Sequence, residues 1–338
     1  MKMGKMAIEA DRRWGDWHWQ WRNRITTPEA LATLAAVPKA TLKKWQAVAR
    51  HYPLSVTPYF LSLASLKDPL DPIIRQFVPD IRELHVATGK PDPLDEEGHM
   101  PVLGLIQRYP DRCLILATTL CAVYCRHCNR KRRWAKPEAV NVAPYFSSIV
   151  GYIKETPKIR EVILSGGDPL VLPDEVLADM LRQLRAIKHV EVIRIGTRMP
   201  VVMPMRITEK LVRLLRGFRP LWVNTQFNHP REITPWSALA CDRLVSAGIP
   251  VSNQSVLLKG INDDFSTMQA LLTGLERISV RPYYLFQCDP VSGTEHFHVA
   301  VTRGKEIMKR IWASTSGLCL PRYVVDRPDT PGKWPLDG

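Results

Sequence analysis

From about residue 110 onward, short apolar segments rich in β-forming residues alternate with longer amphipathic segments. The predicted strands are 113–119, 161–165, 190–196, 221–227, 249–255, 281–287 and 322–326, and the predicted helices lie near 142–156, 174–187, 207–216, 234–247, 264–277 and 302–315. Six strand-then-helix units are typical of a parallel sheet with helices outside, and near-continuous apolar strands fit burial on both faces. Polar residues that could take part in catalysis or binding fall just after the predicted strand ends, as they do in α/β barrels. The sequence therefore predicts an α/β fold with a parallel sheet and helices outside.

The segment before the alternating pattern has a different character. Residues 1–105 favour helices, with Trp14, Trp17 and Trp21 at the i, i+3 and i+7 positions of one helix face. A second helix is predicted to begin after Thr27, because Pro28 suits a first helical position. We predict a helical N-terminal extension (1–105) packing on the barrel (106–320), and a short C-terminal segment (321–338).

Composition and charge narrow the class of protein. Hydrophobic residues make up 45% of the 338 residues and charged residues 24%, as in a soluble globular protein. No apolar run reaches the roughly 18 residues that span a bilayer, and the N-terminus lacks the apolar region of a signal peptide. We therefore expect a cytoplasmic protein without a membrane partner.

The net charge of +14 could reflect nucleic-acid binding, an anionic ligand or only a soluble surface. The densest basic run, RHCNRKRR at 126–133, overlaps a group of three cysteines. That overlap disfavours a nucleic-acid-binding tail, and we expect no nucleic-acid partner.

Those three cysteines, Cys121, Cys125 and Cys128, form a Cys-x3-Cys-x2-Cys pattern directly after the first predicted strand. Three thiolates can hold three irons of a [4Fe–4S] cluster and leave the fourth iron open to a ligand. A structural zinc site needs a fourth Cys or His, and His127 is badly constrained by its cysteine neighbours. The pattern therefore favours an iron–sulfur cluster.

The cysteine pattern, with the aromatic residue Tyr124 before the second cysteine, resembles the cluster loop of the radical S-adenosylmethionine (SAM) superfamily. The resemblance implies SAM bound at the open iron, formation of a 5′-deoxyadenosyl radical, and a partial, six-unit (β/α) TIM-like barrel. The segment LSGGDPL, after the second predicted strand, looks like the superfamily's glycine-rich element. By that resemblance its residues Ser165, Gly166, Gly167 and Asp168 are expected to contact SAM.

Longer segments resemble the lysine 2,3-aminomutase family. They are 14–27, 92–112, 118–133, 165–170, 219–230, 253–263, 281–289 and 323–333. This family uses pyridoxal 5′-phosphate (PLP) beside the cluster and attaches it to a lysine, and Lys333 lies at the matching place. The resemblance further implies PLP contacts from Arg108, Tyr109 and Arg112, and a cofactor contact from Gln254.

The same resemblance implies a substrate. Asp289 and Asp326 match the family's pair of carboxylates that holds the distal ammonium of lysine, and Arg130 matches the arginine that holds the substrate carboxylate. The implied enzyme is an isomerase that converts free L-lysine to β-lysine. Its implied partner is a reducing electron donor such as flavodoxin or ferredoxin.

The chain departs from the family in several places. Residues 329–332 read Asp-Thr-Pro-Gly where the family has a glycine-rich run, so Pro331 stiffens the approach to Lys333. Gln226 replaces a family histidine near SAM. We interpret the chain as a short form without the family's C-terminal extension; no cysteine follows Cys319, and we expect no structural zinc. The sequence leaves open whether the chain forms a homo-oligomer.

Several other functions remain compatible with these residues. An arginine 2,3-aminomutase is the nearest, since guanidinium also suits two carboxylates. A β-lysine-forming aminomutase that serves elongation factor P would perform the same reaction. A non-catalytic iron–sulfur redox or binding protein and an RNA-modifying radical SAM enzyme belong to different classes.

Overall fold

The computed structural model describes residues 12–85, 87–134, 142–328 and 332–336, and its strands form one nine-stranded sheet in sequence order. The strands are β1 Leu105–Tyr109, β2 Arg112–Thr118, β3 Glu161–Gly166, β4 Val192–Gly196, β5 Leu221–Thr225, β6 Val251–Leu257, β7 Arg281–Gln287, β8 Arg322–Asp326 and β9 Lys333–Pro335. Strands β2 to β8 are parallel, while β1 and β9 run antiparallel to their neighbours. In the described part of the chain no ladder joins β1 to β9, so the barrel is partial.

The helices complete the expected units. They are α1 Trp17–Arg22, α2 Pro28–Ala35, α3 Lys39–Ala49, α4 Pro58–Ser62, α5 Phe146–Glu155, α6 Asp174–Arg185, α7 Met199–Val202, α8 Glu209–Arg216, α9 Pro235–Ser246, α10 Phe265–Arg277 and α11 Val301–Trp312. Six of them (α5, α6, α8, α9, α10 and α11) connect successive parallel strands, which confirms the predicted partial (β/α)6 barrel. Among the described residues, no helix is long and apolar enough to cross a membrane.

Local sequence explains where the barrel helices begin. Thr208, Thr234 and Asp264 each accept a hydrogen bond from the backbone N–H three residues later, at the first turns of α8, α9 and α10. Such N-caps each contribute about 1 kcal/mol. The helices then bury one face against the sheet, as Leu211 and Leu215 of α8 do. Capping and burial together fix the strand ends that carry the site.

The N-terminal part packs directly on the barrel. Its buried residues, including Leu31 and Phe60, belong to the same apolar core as Ile115 and Ile195 of the sheet. Thr57 donates from Oγ1 to the carbonyl oxygen of Val202, at 2.6 Å. The division at residues 105 and 320 stays a prediction.

Two local predictions need correction. Helix α1 begins at Trp17, with Asp16 as its N-cap, so the prediction that Trp14 shares a helix face with Trp17 and Trp21 is wrong. Trp14 instead lies in the preceding turn, buried against Trp19 and Tyr59, with ring centroids 6.1 and 6.4 Å away. The antiparallel strands β1 and β9 were not predicted from the sequence.

Candidate active site

One cavity of about 620 Å³ lies at the barrel, and strand-end loops contribute much of its lining. Its walls include every candidate site residue from the sequence: Arg108, Tyr109, Arg112, Cys121, Cys125, Cys128, Arg130, Ser165, Gly166, Gly167, Asp168, Gln254, Asp289, Asp326 and Lys333. These residues span more than two hundred positions of the chain, and the parallel strands bring them together. The individual roles stay predictions, but the shared cavity makes them mutually consistent.

The cysteine loop follows β2 and is held against the N-terminal part of the chain. The backbone N–H of Tyr124 donates to the Ser55 carbonyl at 3.0 Å, and Ser55 Oγ donates to the Ala122 carbonyl at 2.9 Å. The backbone N–H of Arg126 donates to the Gln76 carbonyl at 2.8 Å. Backbone contacts on both sides of Cys125 therefore fix its position.

A buried ion triad reinforces this loop. Arg126 Nη2 lies 2.6 Å from Glu83 Oε2, and Lys131 Nζ lies 2.8 Å from the same oxygen. All three side chains are essentially buried. Because an unpaired buried charge costs several kcal/mol, both cations depend on the single carboxylate of Glu83.

The rest of the basic run is also paired. Arg130 Nη2 is 2.7 Å from Glu96 Oε1, and Arg132 Nη2 lies 3.0 Å from Glu96 Oε2 and 2.9 Å from Asp92 Oδ1. The run that could resemble a nucleic-acid footprint thus meets acidic residues of the N-terminal part. Glu83 and Glu96 were not identified from the sequence, because no pattern links them to a loop 30 or more residues away.

The three cysteines suit a cluster rather than a single metal ion. In the described part of the chain no three His, Cys, Asp or Glu residues converge as ligands of one ion. A cubane cluster requires a different arrangement of ligands, because each cysteine binds a different iron atom. Burial raises the pKa of Cys128 to about 11, with a further contribution from Cys125, so metal binding must displace its proton.

Two donors face the cysteine sulfurs. Arg198 Nη1 lies 2.8 Å from Cys125 Sγ, and the backbone N–H of Arg130 lies 3.3 Å from Cys128 Sγ. Such donors favour thiolates, which is the form that binds iron. The sulfurs, their donors and the shared cavity therefore fit a [4Fe–4S] cluster with one open iron.

Arg198 was not identified from the sequence, although a signal was available. It follows β4 by two residues, and strand ends carry the functional groups of barrel proteins. Its motif, Thr-Arg-Met-Pro at 197–200, has no distinctive spacing. The contact with Cys125 only becomes visible once the barrel is formed.

The glycine-rich element packs against the start of the cysteine loop. A Cβ on Gly167 would lie 2.2 Å from the Leu120 carbonyl oxygen, and one on Gly166 would lie 2.5 Å from that of Thr118. Gly166 also has a φ of +113°, which side chains rarely adopt. The glycines are therefore required for backbone contact with the cysteine loop.

Asp168 lines the cavity, and its expected contact with SAM stays a prediction, but protein donors also bind its carboxylate. Its Oδ1 accepts from Thr197 Oγ1 at 2.7 Å and from the Leu170 N–H at 3.0 Å. Its Oδ2 accepts from the Arg198 N–H at 2.7 Å. Asp168 therefore ties the glycine-rich element to the loop after β4.

The hairpin of β8 and β9 carries Lys333 into the cavity. Lys333 pairs in register with Asp326, and its Nζ lies 3.7 Å from Asp326 Oδ2 and 3.3 Å from Tyr109 Oη. Residues 329–331, including the stiff Pro331, lie outside the described residues. Whatever path they take, Lys333 reaches the cavity wall.

The arginines of β1 and β2 flank Lys333. Arg108 Nη1 donates to Asp326 Oδ1 at 2.8 Å, and Nη2 donates to the Arg327 carbonyl at 2.6 Å. The Arg112 guanidinium stacks over the Tyr109 ring, 3.6 Å from its centroid. Cationic groups and three aromatic rings thus meet around the lysine, whose Nζ lies 5.4 Å from the Tyr109 ring centroid and 5.8 Å from those of Tyr284 and Phe286.

Asp289 is the least satisfied acid of the cavity. Its Oδ2 accepts from Asn129 Nδ2 at 3.1 Å, but its buried Oδ1 has no hydrogen-bond partner among the described residues. Burial raises the pKa of Asp289 to about 7, and the charge of Asp326 adds to this effect. A cation placed beside this carboxyl group would favour its ionised form.

The two glutamine positions differ in their partners. Gln226, which replaces the family histidine, has its Nε2 3.0 Å from His127 Nε2 inside the cysteine loop. Gln254 lies on β6 and lines the cavity. Gln226 thereby contacts the loop between the second and third cysteines.

Comparison with known proteins identifies the family. A model of the radical SAM superfamily matches residues 115–271. The L-lysine 2,3-aminomutase of Acetoanaerobium sticklandii is 47% identical over 324 residues, which are 96% of this chain and 78% of that protein. The L-lysine 2,3-aminomutase of Clostridium subterminale is 45% identical over 97% of this chain and 79% of its own length.

The chain is also similar to an aminomutase that is named for a different substrate, glutamate. The glutamate 2,3-aminomutase of Clostridioides difficile is 40% identical over 96% of this chain and 76% of its own length. The radical SAM match implies an enzyme that uses SAM and an iron–sulfur cluster. Together with the identities over nearly the whole chain, these findings show that the protein belongs to the lysine 2,3-aminomutase family of radical SAM isomerases.

Proposed function

We propose that this enzyme converts free L-lysine to β-lysine. The family's cofactors are a [4Fe–4S] cluster, SAM and PLP. When bound, the cluster and SAM supply a carbon-centred radical, and PLP carries the amino nitrogen during its move from C2 to C3. The protein contributes the residues that bind and orient these groups and exclude water from them.

The observation that carries the choice of substrate is the buried Oδ1 of Asp289, which has no hydrogen-bond partner in the described part of the chain. A buried carboxylate without a hydrogen bond is costly, so the site favours a ligand that brings a cation to it. The distal ammonium of lysine would donate to Asp289 and neutralise its repulsion by Asp326. A glutamate side chain would instead add a third carboxylate to this wall.

Arg130 is proposed to bind the substrate carboxylate. Glu96 already neutralises it and fixes its orientation, with Nε 2.8 Å from Oε1. Its Nη1 makes only a long contact of 3.4 Å to Ser165 Oγ. A carboxylate could replace that contact at little cost and gain a charge-assisted hydrogen bond.

Lys333 is proposed to hold PLP. Its Nζ lies against Tyr109, whose ring can pack on an aromatic cofactor, and beside two arginines that can bind a phosphate.

Cys121, Cys125 and Cys128 are proposed to bind the cluster. The strand-end loop containing Gly166 and Gly167 lies beside them, where it could contact SAM. Gln254 completes the proposed cofactor contacts. A reducing protein of the flavodoxin or ferredoxin type is the proposed electron donor.

Anaerobic turnover tests this function. The protein, reconstituted with iron and sulfide, is supplied with SAM, PLP, dithionite and one amino acid, either L-lysine, L-arginine or L-glutamate. We expect β-lysine from lysine, and at least about a 100-fold loss in Cys125→Ala and Lys333→Ala. Lys305→Ala, which changes an exposed lysine of α11, is the matched control and should retain activity.

The other outcomes separate the alternatives. A β-amino product from arginine alone would assign the arginine aminomutase function, and one from glutamate would overturn the acidic-pocket argument. Cleavage of SAM without any β-amino product would retain the radical chemistry and reject all three substrates. Absence of cluster absorbance would reject the proposed cysteine ligands.

A further inference from the structure

We propose that Arg198 is a positioning residue that raises the reduction potential of the cluster by donating a hydrogen bond to Cys125. The contact joins Nη1 of Arg198 to Sγ of Cys125 at 2.8 Å. A hydrogen bond to a cluster thiolate withdraws electron density from the iron and stabilises the reduced form. Easier reduction matters here because radical formation begins with one-electron reduction of the cluster.

The guanidinium of Arg198 has little freedom to turn away. Its Nε donates to the Gln226 carbonyl at 3.0 Å, and its Nη2 donates to Glu232 Oε1 at 2.9 Å and to Gln76 Oε1. Its backbone N–H is fixed by Asp168 at 2.7 Å. With Nε and Nη2 of the guanidinium occupied, Nη1 is pre-aligned on the sulfur.

Glu232 makes this arrangement possible without adding net charge beside the cluster. Its carboxylate is fully buried and also accepts from Gln76 Nε2 at 2.8 Å and from the Asn228 N–H at 2.6 Å. The pair is therefore neutral as a unit, while an N–H dipole still points at the sulfur. Cys128 receives a weaker, neutral donor, the Arg130 N–H at 3.3 Å.

A purely structural role is the competing explanation, since Arg198 is only 7% exposed and links several elements. Arg206 provides the matched control. It is fully buried in the same connection between β4 and α8, and donates to the carbonyls of Leu170 at 2.8 Å and Leu172 at 3.1 Å. Among the described residues, its side chain contacts backbone carbonyls, Asp174 and the Trp17 ring rather than a cysteine.

The test is an EPR-monitored redox titration of the reconstituted full chain, without SAM, PLP or amino acid. The variants are Arg198→Met combined with Glu232→Gln, which removes both charges of the pair together, Arg198→Lys, and the control Arg206→Met. At the potential where half of the wild-type cluster is reduced, the reduced-to-oxidised ratio should fall about tenfold in the double variant. It should fall less in Arg198→Lys and stay unchanged in Arg206→Met.

A wild-type ratio in the double variant at full iron content would overturn the proposal, and so would an equal fall in Arg206→Met. If the double variant binds no iron, Arg198→Lys decides. It keeps a cation for Glu232, but the lysine side chain is shorter and its ammonium falls one bond short of the position of Nη1 beside Cys125. A wild-type ratio in this variant therefore also overturns the proposal. The inference rests on a cluster at the three cysteines and not on the substrate, so failure to form β-lysine would leave it standing.

Discussion

Asp289 illustrates how a single residue can be tuned for a ligand at the expense of the fold. Its pKa of about 7 lies above the value of about 3.9 for an aspartate in an unfolded chain. Between these values the folded protein retains a proton that the unfolded chain has lost. The free energy of unfolding therefore falls as the pH rises from about 4 to 7, because only the unfolded chain gains free energy by releasing the proton.

Asp289→Asn should remove this penalty. We expect the variant to have a higher melting temperature than the wild type, by about 2 °C or more at pH 8 and by less at pH 5. Scanning calorimetry of the iron-free protein at the two pH values measures the difference. Asp242→Asn, at an exposed position of α9, is the surface control. An equal difference at both pH values would contradict the raised pKa.

Residues that could be identified from sequence share one property, which is that they occupy recognisable motifs. The cysteine spacing and the order of the family segments were sufficient to select fifteen residues that the fold collects around one cavity. Glu83, Glu96 and Arg198 could not be found this way. Their importance comes from contacts across the fold with the cysteine loop, and the sequence around each is ordinary.

Among elements, the parallel strands were predictable because each is an apolar run followed by an amphipathic helix. Strands β1 and β9 lack that signal. Their sequences, LIQRY and KWP, are short and partly polar, and each pairs with the sheet on one side as an edge strand. The same property makes them useful, since an edge strand can present Arg108 or Lys333 to the cavity.

The cysteine loop, as an element, should depend on its buried ion triad. In Glu83→Gln, Arg126 and Lys131 remain buried without their shared counter-charge, and we expect the free energy of unfolding to fall by about 3–5 kcal/mol. Urea denaturation of the iron-free protein measures this loss. We also expect lower iron content after reconstitution.

Glu209→Gln is the control for this prediction. Glu209 lies 3.6 Å from Arg213 in a solvent-exposed pair, so its loss should leave the stability close to that of the wild type. If Glu83→Gln were equally mild, water or a shifted side chain would be compensating the two cations. The loop would then be held by its backbone hydrogen bonds.

At the scale of the whole molecule, ion pairs join the N-terminal part of the chain to the barrel. The chain carries fourteen more Lys and Arg than Asp and Glu, yet its densest basic run meets acids of the N-terminal part. The sequence could show both charge patterns but not their pairing, which depends on where the fold places Glu83, Asp92 and Glu96 relative to the cysteine loop. The pairing joins the N-terminal part to the element that is proposed to bind the cluster.

This joining predicts that the N-terminal part and the barrel unfold together. One apolar core runs through both, and hydrogen bonds such as Thr57 to Val202 and Tyr124 to Ser55 cross between them. Hydrogen exchange followed by mass spectrometry at increasing urea should show peptides 73–85 and 121–134 opening at one midpoint. Helix α11, which is the last barrel helix in the chain, serves as the reporter of global unfolding. Its peptides should share that midpoint.

A lower midpoint for 73–85 alone would contradict this prediction and make the N-terminal part a separable layer. In that case the Glu83 and Glu96 contacts would form only after the barrel has folded, and cluster assembly could precede them. A shared midpoint has the opposite consequence. The cysteine loop would then acquire its final shape only when the whole chain folds, because neither part alone contains both the cysteines and the residues that hold them.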